Sequence, residues 1–565
     1  MPHEPFIQAS RDGLTATAYV GDGSVLLAFN LDKKPSADFA GFAVKRIPPH
    51  GKPFYLLNRL DFTTPITSGT KPEERGYTPS NLAPFQKFRW VDFPSTIEPG
   101  NYTYEITPMH FGKNDGLEEG VAVALTFEMV PEKFANFEFG FTRGYLSSQA
   151  YARRFRNAPI RPKGKKTVDF DTSPFERRYK WLGSHARKMI LDFLKKAIQD
   201  DSSSVDVFAY DFDEPDILRS LKKLGKRLRI FIDNSSSHTG LGALEPEVVE
   251  TLKKSAGADQ VKSGHFRRYA HNKVFIQKKE GKAIRVLTGS ANLSVRGLYV
   301  QANNVLLFDE PEVASLYEEA FNHAFHDPTA TQSQFDDSEI ASQVFEITSA
   351  GCPKSAIAFS PHRDPLISLR PIIDAIEKVN SSVMFAIMEL GGGGPVLEGI
   401  RALGTKQVFT YGVTQSTSNI RIFKPGSNRG NVVPFGYLKD KVPAPFRREW
   451  SGGAGQVVHH KFIVVDFNDS NPVVFTGSSN LSEGGEKDNG DNLLAIFDRG
   501  VATAYAIEAV RLLDHYHFRQ KMMGATKAKP MKLRGPDEKP LWWEDYFDAD
   551  HIKYNDRLLF SKSSV

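Results

Sequence analysis

One pattern occurs twice in this chain, in the same order and at the same spacing. His271 and Lys273 recur as His459 and Lys461, Ser290 and Asn292 as Ser478 and Asn480, and Asn303-Asn304 as Asp491-Asn492, each 188 positions later. Val313 and Tyr317 match Val501 and Tyr505 at the same offset, so the repeat runs past the motif into a following helical stretch. A constant offset without gaps constrains the chain to two copies of one fold.

The local pattern within each copy reads as α/β. In GQVVHHKFIVVD, His459 and Lys461 stand at alternate positions of a β-branched, aromatic run, and period-two geometry puts both on one face of a strand. Strand Val473 to Thr476 then delivers Gly477, Ser478 and Asn480 to a turn. A small residue there allows close approach and the amide supplies donors, which makes an anion pocket. Upstream, Ile190, Phe193, Leu194, Ala197 and Ile198 form a helical stripe. SVDVFAYDF, a helix through Leu218, Leu221 and Leu224, and LRIFIDN follow as a parallel βαβ unit. The second copy repeats this with Leu369, Ile372, Ile373 and Ile376, then SSVMFAIMEL and KQVFTYGV. The expected architecture is two α/β halves, residues 171–345 and 346–530, related by a pseudo-twofold axis that brings the two His-Lys pairs face to face.

The flanks read differently. Residues 1–150 alternate short apolar runs with Gly- and Asn-rich corners, which predicts an antiparallel β-sandwich, and PGNYTYEITPMHF is similar to a late strand pair of fibronectin type III or immunoglobulin-like domains. This sandwich is expected to fold independently and to be removable. Residues 151–170 read as a basic linker, since Arg153 to Lys166 holds seven basic residues and no acid. Glycines 391–394 read as a loop over the pocket mouth, and residues 531–565 as a tail anchored by Trp542, Trp543, Tyr546 and Phe547.

Composition narrows the function classes. A formal charge of +5 favours polyanions mildly, short of a dedicated nucleic-acid binder. Cys352 is the only cysteine, which excludes an internal disulfide or a cysteine-built metal site. No apolar run approaches a membrane span and the N-terminus lacks a secretory signal, so the expected location is cytoplasmic.

The paired His-x-Lys motifs, each followed by Gly-Ser-x-Asn, resemble those of the phospholipase D superfamily, over roughly Phe170 to Met523. The resemblance implies in-line displacement at phosphorus. One imidazole attacks and becomes a phosphohistidine, while the other protonates the leaving oxygen and then activates water. Lys273, Lys461, Asn292 and Asn480 hold the non-bridging oxygens, with Ser290 and Ser478 in support, and neither metal nor cofactor is required. The family's motif continues to an aspartate, present only in the second copy as Asp466 and replaced by Lys278 in the first. Spacing along a strand turns Asp466 away from the pocket, so it reads as architectural.

Thirteen positions after each motif serine, where related enzymes place a carboxylate to orient the histidine, the copies carry Asn303 and Asp491. A carboxylate on the second ring nitrogen stabilises imidazolium, so Asp491 makes His459 the general acid, and the amide of Asn303 leaves His271 a neutral nucleophile. This pairing resembles tyrosyl-DNA phosphodiesterases, in which the first-half histidine attacks. The leading expectation is a nuclease-like phosphodiesterase, supported by HFRRY ahead of His271 and the basic linker. The alternative is a phospholipase D or phosphatidyl transferase acting on phospholipid. A third class, a binding scaffold with a decayed site, is disfavoured by the intact His, Lys and Asn sets. The N-terminal region is expected to bind another protein or to pack on the catalytic core.

Overall fold

The computed structural model describes residues 6–70, 74–94, 96–113, 116–129, 134–164, 166–326, 334–388, 393–415, 427–434 and 457–561. Gly391 and Gly392 of the glycine run, and Gly455 and Gln456 at the head of the second motif, lie outside the described residues.

The N-terminal region forms two antiparallel sheets around a shared core. Phe6–Arg11, Leu14–Gly21, Ser24–Leu31 and Arg89–Asp92 make one. The other is built on Phe39–Ile47 and Asn101–Phe111. Arg11 pairs with Leu14, so Asp12-Gly13 is a two-residue hairpin loop, and both residues take the positive φ (49° and 78°) that such a turn demands. Phe29, Phe42, Phe85, Tyr104, Ile106 and Leu125 fill the space between the sheets.

The structure redraws three expected boundaries. Phe137–Phe141, placed in the sandwich by sequence, instead pairs with Asn304–Phe308 as the edge strand of the first α/β sheet. The basic stretch is no loose tether: its first three residues end the helix Ser148–Phe155, Ile160 is buried, and Arg161 pairs with Asp213 at 2.5 Å. The tail's Trp542, Trp543 and Tyr546 are buried as expected, but within the sandwich core, where Trp542 Nε1 donates to Phe39 O at 2.9 Å. The sandwich is also bonded to and packed against the α/β region. Arg89 binds Asp514 and Asp556, Tyr19 Oη donates to Phe560 O, and Tyr19, Leu26 and Ala28 belong to the core of the α/β region. Removing residues 1–150 would strip apolar cover from the helix Arg499–Gly524, which is buried on nearly every face.

The α/β region contains two sheets of the same topology. The first runs Phe137–Phe141, Asn304–Phe308, Lys282–Gly289, Val274–Lys279, Ser203–Ala209, Leu228–Asp233, Val261–Gly264. The second runs Ser355–Ser360, Asp491–Ile496, Val473–Gly477, Lys461–Val465, Ser382–Ile387, Phe409–Thr414, Gly430–Pro434, with Phe345–Ile347 added at one edge. Each has a parallel βαβ end and an antiparallel remainder. Among the described residues no helix is long and apolar enough to cross a membrane.

Contacts between the halves are reciprocal. Gly490 N donates to Tyr269 O, and Ala302 N to Val457 O, both at 2.8 Å. Asn304 Nδ2 donates to Thr476 Oγ1 at 2.9 Å, and Thr288 Oγ1 to Asn492 Oδ1 at 3.3 Å. In each pair, one contact becomes the other on adding or subtracting the 188-residue offset.

Candidate active site

Each motif histidine sits in an extended segment just before its strand rather than within it. The described strands begin at Val274 and Lys461, and Val458 is held by a bridge to Ala302 of the other half. His271, Lys273, His459 and Lys461 are all at most 3% exposed. Gly289 and Gly477 end the neighbouring strands at φ +140° and +142°, where a Cβ would lie 2.5 Å from Asn304 O and 2.4 Å from Asn492 O. Only glycine lets the two backbones approach this closely, and the turn so made presents Ser290 and Ser478.

The acceptors thirteen residues after these serines serve the opposite half. His271 Nδ1 donates to Asp491 Oδ1 at 2.7 Å, and Ser478 Oγ donates to the same oxygen at 2.6 Å. His459 Nδ1 donates to Asn303 Oδ1 at 2.9 Å and lies 3.1 Å from Ser290 O, while Ser290 Oγ donates to Asn303 Oδ1 at 2.9 Å. The expected pairing of Asp491 with His459 and Asn303 with His271 is therefore overturned. The reason is sheet geometry. Within a half, the strand that Asp491 or Asn304 begins is separated from the motif strand by one other strand, about 10 Å, whereas the other half's histidine lies directly opposite.

Charge in the crevice is unbalanced. Burial pushes His271 down to about 4, against the pull of Asp491, and pushes Lys273 down to about 7. Burial, Lys461, Lys273 and His271 hold His459 well below the usual imidazole value, and burial with Lys273 does the same to Lys461. Burial alone would raise Asp491, yet His271, Lys273 and Ser478 keep it below the usual carboxylate range. Two lysines and two histidines thus share one buried crevice in which Asp491 is the carboxylate bonded to a motif histidine, and a bound phosphate would favour their charged forms.

The remaining candidates fall in three places. Lys273 Nζ is bonded to His271 O, and Lys461 Nζ to His459 O at 2.9 Å with His459 Nε2 3.3 Å away, so both lysines stay beside their histidines. Asn292 Nδ2 rests on Asp211 at 3.3 Å rather than standing free, and the buried Oδ1 atoms of Asn292 and Asn480 have no hydrogen-bond partner. Asp466 lies away from the crevice at φ 55°, accepting from the backbone N–H groups of Asn380, Ser381 and Ser382 and from Ser381 Oγ. Lys278 takes its place in the first half, paired with Asp206 at 2.8 Å and Glu318 at 3.3 Å.

Sequence reasoning missed the residues behind the motifs. Tyr210 sets its ring edge-on to His271 at 4.5 Å and beneath Lys273 at 4.7 Å. Asn272 Oδ1 accepts from Asn492 Nδ2 at 2.6 Å. Arg296 binds Asp211 at 2.9 Å, close enough to His459 to depress it further. None of these is marked by the repeat except Asn272, whose counterpart His460 binds Glu508 instead at 3.0 Å.

Comparison with known proteins agrees with the fold of the first half. Residues 192–325 match the family model described as the phospholipase D-like domain of cardiolipin synthase. No curated protein matches the chain. Among solved structures, phosphatidylserine synthase of Haemophilus influenzae is similar at 12% identity and a TM-score of 0.39, over 67% of this chain and 94% of that one. A point mutant of the yeast tyrosyl-DNA phosphodiesterase is similar at 12% identity and a TM-score of 0.31, over 55% and 87%. Polyphosphate kinase of Porphyromonas gingivalis is similar at 9% identity and a TM-score of 0.36, over 57% of this chain but only 46% of its own length. Likenesses this distant carry no argument about substrate. The stretch that matches this phospholipase D-like domain, residues 192–325, includes His271, Lys273, Ser290, Asn292 and Asn303.

Proposed function

We propose that the protein is a phosphodiesterase that works through a phosphohistidine on His271, in a crevice shared by two phospholipase D-like halves related by a pseudo-twofold axis. The observation that carries this reading is the crossed pair of bonds, His271 to Asp491 and His459 to Asn303. Asp491 fixes the proton on His271 Nδ1 and leaves the Nε2 lone pair for phosphorus. As the N–P bond forms, the ring gains positive charge beside that carboxylate. His459 donates its Nδ1 proton to an amide, so no carboxylate holds the ring cationic, and once protonated in the presence of bound phosphate it is the stronger acid. The P–O bond breaks as His459 Nε2 gives its proton to the leaving oxygen. Water then loses a proton to His459 and attacks phosphorus, and the N–P bond breaks. His271 thus keeps the role expected from sequence, on the opposite physical ground. Lys273, Lys461 and the amides of Asn292 and Asn480 balance the non-bridging oxygens throughout.

Nucleic acid is the substrate class this reading favours, since Arg267 and Arg268, 67% and 49% exposed, stand just ahead of His271 and share a single carboxylate, Asp488, at 3.3 and 3.0 Å. The family model matched, that of a cardiolipin synthase domain, favours phospholipid as the second reading. One experiment addresses both points: wild type and His271→Ala are assayed on single- and double-stranded nucleic acids and on phospholipid vesicles, with mass spectrometry of acid-quenched and base-quenched protein. An acid-labile, base-stable adduct on His271 supports the mechanism, and an adduct on His459 with His271 unmodified reverses the roles.

A further inference from the structure

The first half carries a second cluster that the phosphoryl chemistry does not use. Asp211 follows the strand Ser203–Ala209, and Asp233 ends the parallel strand beside it. His238 lies in the short turn of helix Ser236–Thr239, and Glu245 opens the helix Glu245–Ala256. One ligand atom each from Asp211, His238 and Glu245 lie within 4.8 Å of one another. All four residues therefore gather at the carboxyl ends of parallel strands, where open α/β sheets commonly take ligands.

Every member is held in place by something else. His238 is 7% exposed, and its Nδ1 donates to Asp233 Oδ2 at 2.8 Å. Among the described residues no hydrogen bond is made by its Nε2, the nitrogen left for the cluster. Glu245 is aimed by the N–H groups of Phe212 and Leu244, each 3.1 Å away. Asp211 receives Asn292, Ser294 and Arg296, all on Oδ2, which leaves Oδ1 outside those bonds. A carboxylate on one ring nitrogen, with the other nitrogen facing two further carboxylates, is the arrangement that orients a metal-ligating histidine.

The second half supplies the control. Asp233 Oδ1 accepts Ala270 N, pinning the segment before His271, and Gln415 Oε1 does the same for Val457 N and Val458 N before His459. A neutral amide meets that structural need. The charge of Asp233 is therefore free for another use, and what it meets is His238. Charge points the same way: Asp211, Asp233 and Glu245 surround one imidazole, and burial together with Asp211 pushes Glu245 up to about 7. The nearby cations are Arg296, already on Asp211, and Lys273.

We propose that Asp211, His238 and Glu245 bind a divalent cation of the Zn²⁺ or Mn²⁺ class at the edge of the catalytic crevice, with Asp233 positioning His238. One imidazole and two carboxylates suit these ions, and coordination would draw the ligand atoms to about 3–4 Å from one another. The cation takes no part in breaking the P–O bond. It shares Asp211 with Asn292 and Arg296, and so couples an ion to two groups beside the crevice.

The test uses the full chain, stripped with chelator and titrated calorimetrically with ZnCl₂ and, separately, MnCl₂. The expected result is one equivalent bound by wild type and at least a tenfold weaker affinity in both Glu245→Gln and His238→Gln. Glu245→Gln keeps an acceptor oxygen for Phe212 N; should it melt early without metal, His238→Gln carries the comparison. No binding to wild type would overturn the proposal and leave a protonated His238 as the cluster's own cation. Binding unchanged in both variants would overturn it too, by placing the ion elsewhere.

Discussion

The two halves share a sheet topology strand for strand, yet the chemistry placed on that frame differs. The first half offers His271, an amide at Asn303, Lys278 near the end of the motif strand, Asp233 behind the histidine segment and Arg296 beside the crevice. The second offers His459, a carboxylate at Asp491, Asp466, Gln415 and, at the place of Arg296, Gly484. The two copies agree at the strand-end turns and across the seam: Gly289 and Gly477, Ser290 and Ser478, and the reciprocal bonds through Thr288, Asn304, Thr476 and Asn492. Residues that set charge have diverged. Because the halves serve one crevice, each needs only part of the charge set.

Deleting one histidine at a time should separate the halves most. His271→Ala is expected to lower turnover by about 10⁴- to 10⁶-fold on every substrate, because the nucleophile and its covalent intermediate are lost. His459→Ala should cost about 10²- to 10⁴-fold on a substrate with a poor leaving group and far less on a p-nitrophenyl phosphodiester, which leaves without a proton. Equal losses on both substrates for both variants would remove the division of roles.

Stability against pH extends the same contrast. His271 titrates near 4 in the folded protein, below its ordinary 6.5, so as pH falls the unfolded chain takes up the proton first. Stability is therefore full above 6.5 and declines from there to about 4, by about 3 kcal/mol from this residue. His459, likewise held well below its ordinary value, adds to the loss as pH falls. Urea unfolding at pH 7 and pH 5 measures the difference, and a flat result would mean that the histidines titrate alike in the folded and unfolded chain.

Next in size is Asp491→Asn, expected to lower turnover about 10- to 100-fold while still forming the His271 adduct, since it removes orientation and charge but no reacting atom. The reciprocal change, Asn303→Asp, should alter turnover only a few-fold and move the basic limb of the pH profile upward, because a carboxylate would then hold the proton on His459. If Asn303→Asp leaves the profile in place, Asn303 does not govern His459.

The crossing itself was not legible in the sequence, and the reason is physical. A repeat at constant offset places Asp491 thirteen residues after Ser478 whether it serves its own histidine or the other half's. Only the intervening strand decides, and register between sheets leaves no trace in composition. What the offset did carry was the shared topology, the motif pairs and the turns that need Gly289 and Gly477. Trp542 and Trp543 were legible as buried but not as part of the sandwich core, since burial follows from residue type and the partner does not. Phe137–Phe141 reads like any strand and gives no sign of which sheet it joins. Asp233 and His238 escaped notice because they stand in one half only, outside any recurring pattern.

The mildest change in turnover belongs to Asp466, the aspartate that completes the motif in the second copy only. Asp466 is buried at 5% exposure, but it accepts three backbone N–H groups at the turn into Ser382–Ile387 and has no contact with either histidine. Its φ of 55° is one that Asp and Asn tolerate and most residues do not. Asp466→Asn keeps one acceptor oxygen and the favoured backbone, so it should cost about 1 kcal/mol. Asp466→Ala leaves buried N–H groups without a partner at a strained φ and should cost about 2–4 kcal/mol. Both should keep turnover within about threefold of wild type at a temperature where they are folded, as expected for a residue outside the reacting set. The first half makes the same point without mutation, because Lys278 occupies that position and is tied to Asp206 and Glu318 instead. Thermal melting paired with turnover decides it. A variant that melts like wild type yet loses turnover by orders of magnitude would put Asp466 in the catalytic set, and would make the two halves more unlike than their shared sheets suggest.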